Sequence, residues 1–230
     1  QHPPTHLATG PCLGWLALGH GGGGLALPTP GDAGHVVRTT LGLFLNLLKM
    51  HGTEHPSAWL QRWAHLIRPH GRVLDVACGA GRHMRWLASQ GHAVTGVDRN
   101  AEALAVAASA GQTVLADIEN GPWPFTGQTF DALVVTHYLW RPLFPALVQC
   151  LAEGGVLIYE TFTAGNASVG KPSRPDFLLR PGELLQATQG LRTVAFEEGF
   201  EAPPERFIQR IVAVREPAGL APVRWPLTPT

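Results

Sequence analysis

Three aspartates at the ends of short apolar runs are the residues of this chain best suited to bind a ligand. Asp75 lies in the first run and precedes a small-residue turn that contains Gly79 and Gly81. Asp98 and Asp117 close the next two apolar runs. Carboxylates accept hydrogen bonds from ribose hydroxyls and attract ammonium groups, and a glycine lets a ligand approach the backbone closely. Together these residues predict a pocket for one cofactor that carries a nucleoside.

The residues on either side of the turn indicate which cofactor it would bind. The dinucleotide fingerprint has a third glycine where its helix packs on the strand, and Met84 stands at that position here. The carboxylate of Asp75 is unfavourable beside a pyrophosphate but favourable beside an ammonium group. S-adenosylmethionine is therefore the predicted cofactor, with its amino-acid part at the glycine turn, its ribose at Asp98 and its adenine near Asp117. An NAD(P)-type oxidoreductase and a non-catalytic nucleoside-binding module are the alternatives.

Apolar runs that alternate with helical stripes predict the elements that would position these residues. The predicted strands are 72–77, 93–98, 112–116, 130–135, 156–161, 191–198 and 206–214. The predicted helices are 56–67, 81–90, 101–110, 142–151 and one that begins near 180. Thr53 or Ser57 could cap the first helix and Asn100 the third, because short polar side chains accept from the first free N–H groups. Strands and helices that alternate in this way predict an α/β fold with a parallel sheet covered on both faces.

Composition excludes several classes of protein. Lys and Arg number 17, as do Asp and Glu, so no bulk charge favours a nucleic-acid or membrane partner. No apolar run reaches the roughly 18 residues of a membrane span. The three cysteines have neither disulfide nor zinc spacing, which predicts a reduced, cytoplasmic compartment and no metal site. The sequence does not indicate an oligomeric state.

The first 35 residues differ from the rest of the chain. They are rich in Gly, Pro and His, and such a segment buries too little apolar surface to offset its ordering entropy. Because Met50 is the first methionine, we expect residues 1–49 to be a disordered or non-native extension. The alternative is a mobile extension with one helix near 36–50. One α/β domain is then expected over 50–217, followed by a Pro-rich tail over 218–230.

The segment 72–98 resembles motif I and its following acid in the class I S-adenosylmethionine-dependent methyltransferases. The resemblance continues through Asp117-Ile118, the run 130–135 and the turn and strand 151–158, and covers roughly residues 55–215. Within this family the run 75–82 is similar to bacterial members related to the tellurite-resistance methyltransferases. The family implies a Rossmann-like, doubly wound sheet of seven strands, mostly parallel, with the last strand antiparallel.

The resemblance also implies which residues hold the cofactor. Asp75 would contact the methionine amino group, and Asp98 would hold the ribose hydroxyls. Asp117 would accept from the adenine amino group, with Ile118 packing on the ring. The other residues that the family places around the cofactor are Ala77, Gly79, Gly81, Arg99 and Thr136.

The stretch 136–141 follows the fourth strand, where the methyl group would point. It lacks the Asn or Asp, paired prolines and aromatic of adenine and glutamine methyltransferases, which disfavours those acceptors. His137 or Tyr138 could deprotonate or orient an acceptor, or form a wall of the pocket. Glu160 is a second candidate of this kind. We expect a small-molecule acceptor, and the basic residues that could bind an anionic one, or be solvated loop charges, are Lys171, Arg174 and Arg180.

Overall fold

A sheet of seven strands forms the centre of the described chain, in the order β3-β2-β1-β4-β5-β7-β6. The first five strands pair in parallel, and β7 runs antiparallel to both β5 and β6. This arrangement confirms the predicted fold class. The strands are β1 Arg72–Val76, β2 Ala93–Asp98, β3 Gln112–Leu115, β4 Phe130–Thr136, β5 Leu151–Phe162, β6 Arg192–Glu201 and β7 Arg206–Val214.

Short helices cover both faces of this sheet. Successive strand residues point to opposite faces, so Val73 enters one core cluster and Leu74 the other. Residues of α1 to α3 contribute to the first cluster, and residues of α4 and α5 to the second. The helices are α1 Ala58–Trp63, α2 Arg82–Ser89, α3 Ala101–Ala107, α4 Phe144–Gln149 and α5 Glu183–Ala187.

The computed structural model describes residues 55–219 and 223–229. The predicted extension over 1–49, and Thr53 as a possible helix cap, lie outside these residues. The domain boundaries at 50, 217 and 218 stay predictions. Among the described residues, no helix combines the length and the apolar character that crossing a membrane requires.

The start of β5 corrects one predicted boundary. The sequence predicts a helix over 142–151 and a strand only after Gly155, but α4 ends at Gln149 and β5 begins at Leu151. Leu151 pairs with Phe130, and the register with β4 shifts before the main ladder resumes at Ala132 and Val156. The glycine pair therefore forms an irregularity inside a long strand, because tertiary pairing extends the strand past the local turn signal.

The loop over 163–179 contains local structure that its polar sequence does not predict. Two turns of 3-10 helix occur in it, Ala164–Ser168 and Pro175–Phe177. The backbone N–H of Leu179 donates to the carbonyl of Phe162 at 2.9 Å, so the two ends of the loop are held together beside the end of β5.

Candidate active site

The turn between β1 and α2 has a left-handed backbone at three places. Ala77, Gly79 and Gly81 have φ values of 55°, 53° and 77°. At Gly81 a Cβ would lie 2.7 Å from the Cβ of Ala107, which is closer than two carbons approach. Glycine is therefore required there, both for the left-handed conformation and for the close packing of α2 on α3.

Met84 packs on a glycine of the neighbouring strand. Its side chain is fully buried, and a Cβ added at Gly96 would lie 2.3 Å from the Met84 sulfur and 2.6 Å from the Cys78 sulfur. The dinucleotide fingerprint places the small residue on the helix. Here the helix carries the large residue and β2 carries the glycine, so the helix and sheet approach each other by the opposite arrangement.

Asp75 presents a buried carboxylate beside the glycine turn. Its side chain is 1% exposed, and its Oδ1 lies 3.7 Å from Nδ1 of His83. Its Oδ2 is also buried and accepts no hydrogen bond from any described residue. A buried carboxylate oxygen without a partner is costly, so this position suits a cationic group of a ligand or a bridging water. The residues of the turn thus fit the ammonium of S-adenosylmethionine.

Asp98 connects the end of β2 to the glycine turn. Its Oδ2 accepts from the backbone N–H of Gly79 at 2.8 Å, and its Oδ1 accepts from the backbone N–H of Asn100 at 2.8 Å. These bonds fix the carboxylate, and each oxygen has a second lone pair for a ligand hydroxyl. The orientation of Asp98 is therefore set by the protein before a ligand binds.

A cavity of about 380 Å³, here the first cavity, lies at the carboxyl ends of the strands. Its volume falls in the range of small-molecule sites. Asp75, Gly79, Gly81 and Thr136 are not among its wall residues. Its walls include seven of the predicted site residues, which are Ala77, Asp98, Arg99, Asp117, Ile118, His137 and Tyr138.

The carboxylate of Asp117 is engaged in its own turn. Its Oδ1 accepts from the backbone N–H groups of Glu119 and Asn120 at 3.0 and 3.2 Å, and its Oδ2 accepts from the Asn120 side chain at 2.9 Å. These bonds, that of the Asn120 side chain first, lower the pKa of Asp117. One lone pair of Oδ2 stays available, so the contact with adenine stays a prediction.

His137 lies between two guanidinium groups. Its Nδ1 is 3.5 Å from Arg82 and its Nε2 is 3.2 Å from Arg206. Its ring packs on Phe162 with the centroids 4.8 Å apart. Burial first, and then the positive charges of Arg82 and Arg206, lower its pKa to about 4, with His83 adding to the effect. His137 is therefore a neutral imidazole at pH 7, with one unprotonated ring nitrogen that faces a guanidinium.

The pKa of the Tyr138 hydroxyl is shifted in the opposite direction to that of His137. Burial and the neighbouring charge of Glu119 raise its pKa above the ordinary value of 10.0. A phenol that holds its proton at neutral pH is a hydrogen-bond donor and not a base. Of the two predicted catalytic candidates, only His137 has the protonation state that a general base needs.

The sequence does not predict three contacts around the site. His83 is 4% exposed and faces Asp75, although the sequence shows it only as an early residue of a helix. Arg206 reaches His137 from a position 69 residues away, and no local pattern signals this contact. The guanidinium of Arg210, which pairs with Glu160, packs over the indole ring of Trp59 in α1, 4.8 Å from the ring centroid.

Comparison with known proteins identifies the domain. Residues 73–155 match a sequence family described as a methyltransferase domain. This segment, the part of the chain that carries the glycine turn and the end of β4, is therefore similar to methyltransferase domains. The match confirms the predicted family at the level of the domain, and with it S-adenosylmethionine as the cofactor. No curated protein sequence matches the chain.

Solved structures share the fold of the methyltransferase domain at low identity. TehB from Haemophilus influenzae has a TM-score of 0.56 at 20% identity, over 66% of this chain and 60% of that chain. A TehB-like SAM-dependent methyltransferase from Corynebacterium glutamicum gives 0.53 at 17% identity, over 82% and 100% of the two chains. The N-methyltransferase NodS from Bradyrhizobium japonicum gives 0.52 at 18% identity, over 68% and 94%. This chain spans less than two thirds of the length of the Haemophilus protein.

Proposed function

We propose that this protein transfers a methyl group from S-adenosylmethionine to a small-molecule acceptor. The observation that carries the proposal is the buried Oδ2 of Asp75, which has no hydrogen-bond partner among the described residues and lies at the turn formed by Gly79 and Gly81. An ammonium group would complete its hydrogen bonding and offset its charge. A pyrophosphate at the same place would be repelled, which is why the proposal favours a sulfonium amino acid over NAD.

The other residues of the pocket hold the rest of the cofactor in this proposal. Asp98 accepts hydrogen bonds from the ribose hydroxyls, because its carboxylate is already oriented by two backbone N–H groups. The adenine lies between Arg99 and Ile118, near Asp117. Ala77 and Thr136 contact the ligand by their backbone at the ends of β1 and β4.

The bound cofactor supplies an activated methyl group, so the protein's own task is positioning and proton removal. Residues around the two ligands would need only to align the lone pair of the acceptor with the methyl group and to exclude water. Where the acceptor loses a proton, the neutral ring of His137 accepts it. Tyr138 keeps its proton and orients the acceptor or the ligand by donating a hydrogen bond.

Calorimetry with S-adenosylhomocysteine and, in parallel, with NADH tests this proposal. We expect the first to bind and the second not to. Asp98→Ala should lower the affinity for S-adenosylhomocysteine about 10- to 100-fold, since one or two charge-assisted hydrogen bonds of about 1.5 kcal/mol each are lost. Asp176→Ala is the matched control, because Asp176 is an exposed acid outside the cavity walls.

Two results would contradict the proposal. One is a folded protein that binds NADH and not S-adenosylhomocysteine. The other is binding without release of S-adenosylhomocysteine from S-adenosylmethionine across a broad acceptor panel, which would indicate a non-catalytic module. Because Asp98 also supports the glycine turn, circular dichroism and urea unfolding must show that Asp98→Ala is folded before its affinity is interpreted.

A further inference from the structure

A second cavity, of about 440 Å³, adjoins the first. The two cavities share His137 and Phe162 as wall residues. A molecule in the second cavity would therefore lie directly beside a nucleoside-bearing ligand in the first. The other walls of the second cavity come from the segment at the start of α1, the start of α2, the end of β5, the loop after β5, and the turn before β7 with the first residue of that strand.

Three cationic side chains, Arg82, Lys171 and Arg206, line this second cavity. Two acids line it as well, but the deeper one is already engaged. The carboxylate of Glu160 is 4% exposed, accepts from the hydroxyl of Ser57 at 3.0 Å and faces the guanidinium of Arg210 at 3.3 Å. The other acid, Glu205, is exposed. The three cationic side chains thus outnumber the two acids among the walls of this cavity, and the deeper acid is already paired.

Arg206 is held in place but keeps donors for a ligand. Its Nε donates to Glu201 at 2.7 Å, its NH2 lies 2.5 Å from the same carboxylate, and its NH1 lies 3.2 Å from His137. A guanidinium has five N–H groups, so this pairing orients the fork without using all of it. After burial, the positive charges of Arg82 and Arg206 lower the pKa of His137, since both guanidiniums lie close to its ring at this corner.

We propose that the second cavity binds the methyl acceptor as a small organic acid, whose carboxylate pairs with Arg206 and Lys171. This inference rests on the methyltransferase function proposed above and specifies the chemical class of its acceptor. The volume favours an organic molecule, because pockets of about 300–1,000 Å³ hold drug-sized ligands, whereas an inorganic oxyanion has the size of only a few waters of about 30 Å³ each. The carboxylate serves as the anchor, and another atom of the molecule receives the methyl group.

Matched acid and amide pairs test this inference, because the members of a pair differ in charge but hardly in shape. The protein saturated with S-adenosylhomocysteine is titrated with salicylate and salicylamide, with hexanoate and hexanamide, and with further pairs of this kind. We expect the acids that bind to do so about tenfold or more tightly than their amides, as one well-placed charge pair predicts. Lys171→Gln and Arg206→Gln should each reduce this preference, whereas Arg192→Gln, outside both cavities, should retain it.

The ring of His137 provides a second measurement. Binding of an acid should raise its pKa, followed by NMR, because the carboxylate offsets the neighbouring guanidiniums; the amide should leave it unchanged. Amides that bind as well as the acids, or a panel in which no acid binds while S-adenosylhomocysteine does, would overturn the inference. Failure of S-adenosylhomocysteine itself to bind would instead reject the proposed function on which it rests. Lys171 is exposed, so its variant tests the charge without a risk to folding.

Discussion

At the scale of single residues, His137 combines a strained backbone with a suppressed charge. It has a φ of 56°, which non-glycine residues rarely adopt, and its N–H donates to the carbonyl of Glu160 at 2.9 Å. This conformation turns the chain sharply at the end of β4 and places the ring where the two cavities meet. Such strain persists only where surrounding structure holds it, and it is common at functional sites.

The charge state of His137 predicts how stability depends on pH. Its pKa falls from 6.5 to about 4 on folding, so the unfolded chain binds this proton more tightly. The contribution of the neutral His137 ring to the stability of the folded protein is fully present above pH 6.5 and is lost as the pH falls from 6.5 towards 4. The free energy of unfolding, measured with urea, should therefore change less between pH 5 and pH 7.5 in His137→Gln than in the parent protein. An equal difference in both would contradict the assigned pKa.

The surroundings of His137 define the controls for that experiment. The ionisable groups that face it are Arg82 and His83 from α2, Glu160 from β5 and Arg206 from β7. Only His83 among these is a second imidazole. His83→Gln should accordingly be measured alone and together with His137→Gln, so that the contribution of each ring is separated.

At the scale of elements, Ser57 ties the first helix to the site. Its hydroxyl accepts from the backbone N–H groups of Trp59 and Leu60, which confirms it as the helix cap, and it donates to Glu160 at 3.0 Å. The cap and the buried carboxylate thus share one hydroxyl. Because Ser57 and Glu160 are 103 residues apart, this bond also joins α1 to the middle of the sheet.

Removal of this hydroxyl should cost more than removal of an ordinary cap. Asn100→Ala, which affects only the cap of α3, should lower the free energy of unfolding by about 1 kcal/mol. Ser57→Ala should lower it by about 2–4 kcal/mol, since a cap is lost and Glu160 also loses a buried partner. Chemical denaturation measures both values, and equal costs would show that the bond to Glu160 contributes nothing.

The contact of α2 with β2 predicts the effect of one added methyl group. Gly96→Ala should destabilise the protein by about 1–3 kcal/mol, because its Cβ would overlap the sulfur atoms of Met84 and Cys78. Gly199→Ala, on β6 with no atom within 4 Å of the added Cβ, is the matched control and should change stability by less than about 0.5 kcal/mol.

A double variant tests the cause of that cost. Met84→Ala opens space where the new methyl group would lie. Gly96→Ala combined with Met84→Ala should therefore be destabilised by less than the sum of the single variants, measured by the same denaturation. Additive costs would show that the overlap with Met84 is relieved in another way.

At the scale of the whole molecule, the described residues 223–229 contact the domain and are not an isolated tail. Trp225 packs against the core cluster that contains α1, and its indole N–H donates to Glu216 at 3.4 Å. The carbonyl of Pro226 lies 3.0 Å from Nε2 of His65. These contacts place the segment over the face of the sheet opposite to α4 and α5.

This packing predicts a measurable contribution to thermal stability. Trp225→Ala should lower the free energy of unfolding by about 1–3 kcal/mol, because part of a large apolar side chain loses its burial. Leu227→Ala is the control, since its side chain is 62% exposed and should change the melting temperature little. If both variants melt with the parent protein, the segment does not stabilise the domain in solution.

The sequence alone determined the parallel half of the sheet, the glycine turn and the acids around it. Hydrophobic period, glycine positions and helix caps are local properties, so β1, β2 and β4 and the cap at Asn100 could be predicted from neighbouring residues. The nature of the cofactor followed in the same way, because Asp75 lies within a few residues of Gly79 and Gly81.

Only the tertiary structure decided which residues meet at the corner shared by the two cavities. Arg206 meets His137 because β7 is inserted between β5 and β6, and it runs antiparallel so that its first residue lies beside the last residues of β5. Pairing of this kind brings together groups that are 69 residues apart, and no local pattern encodes it. The structure also showed that Asp117 is less available to a ligand than its sequence position indicates. Its carboxylate accepts hydrogen bonds from Glu119 and Asn120 in its own turn.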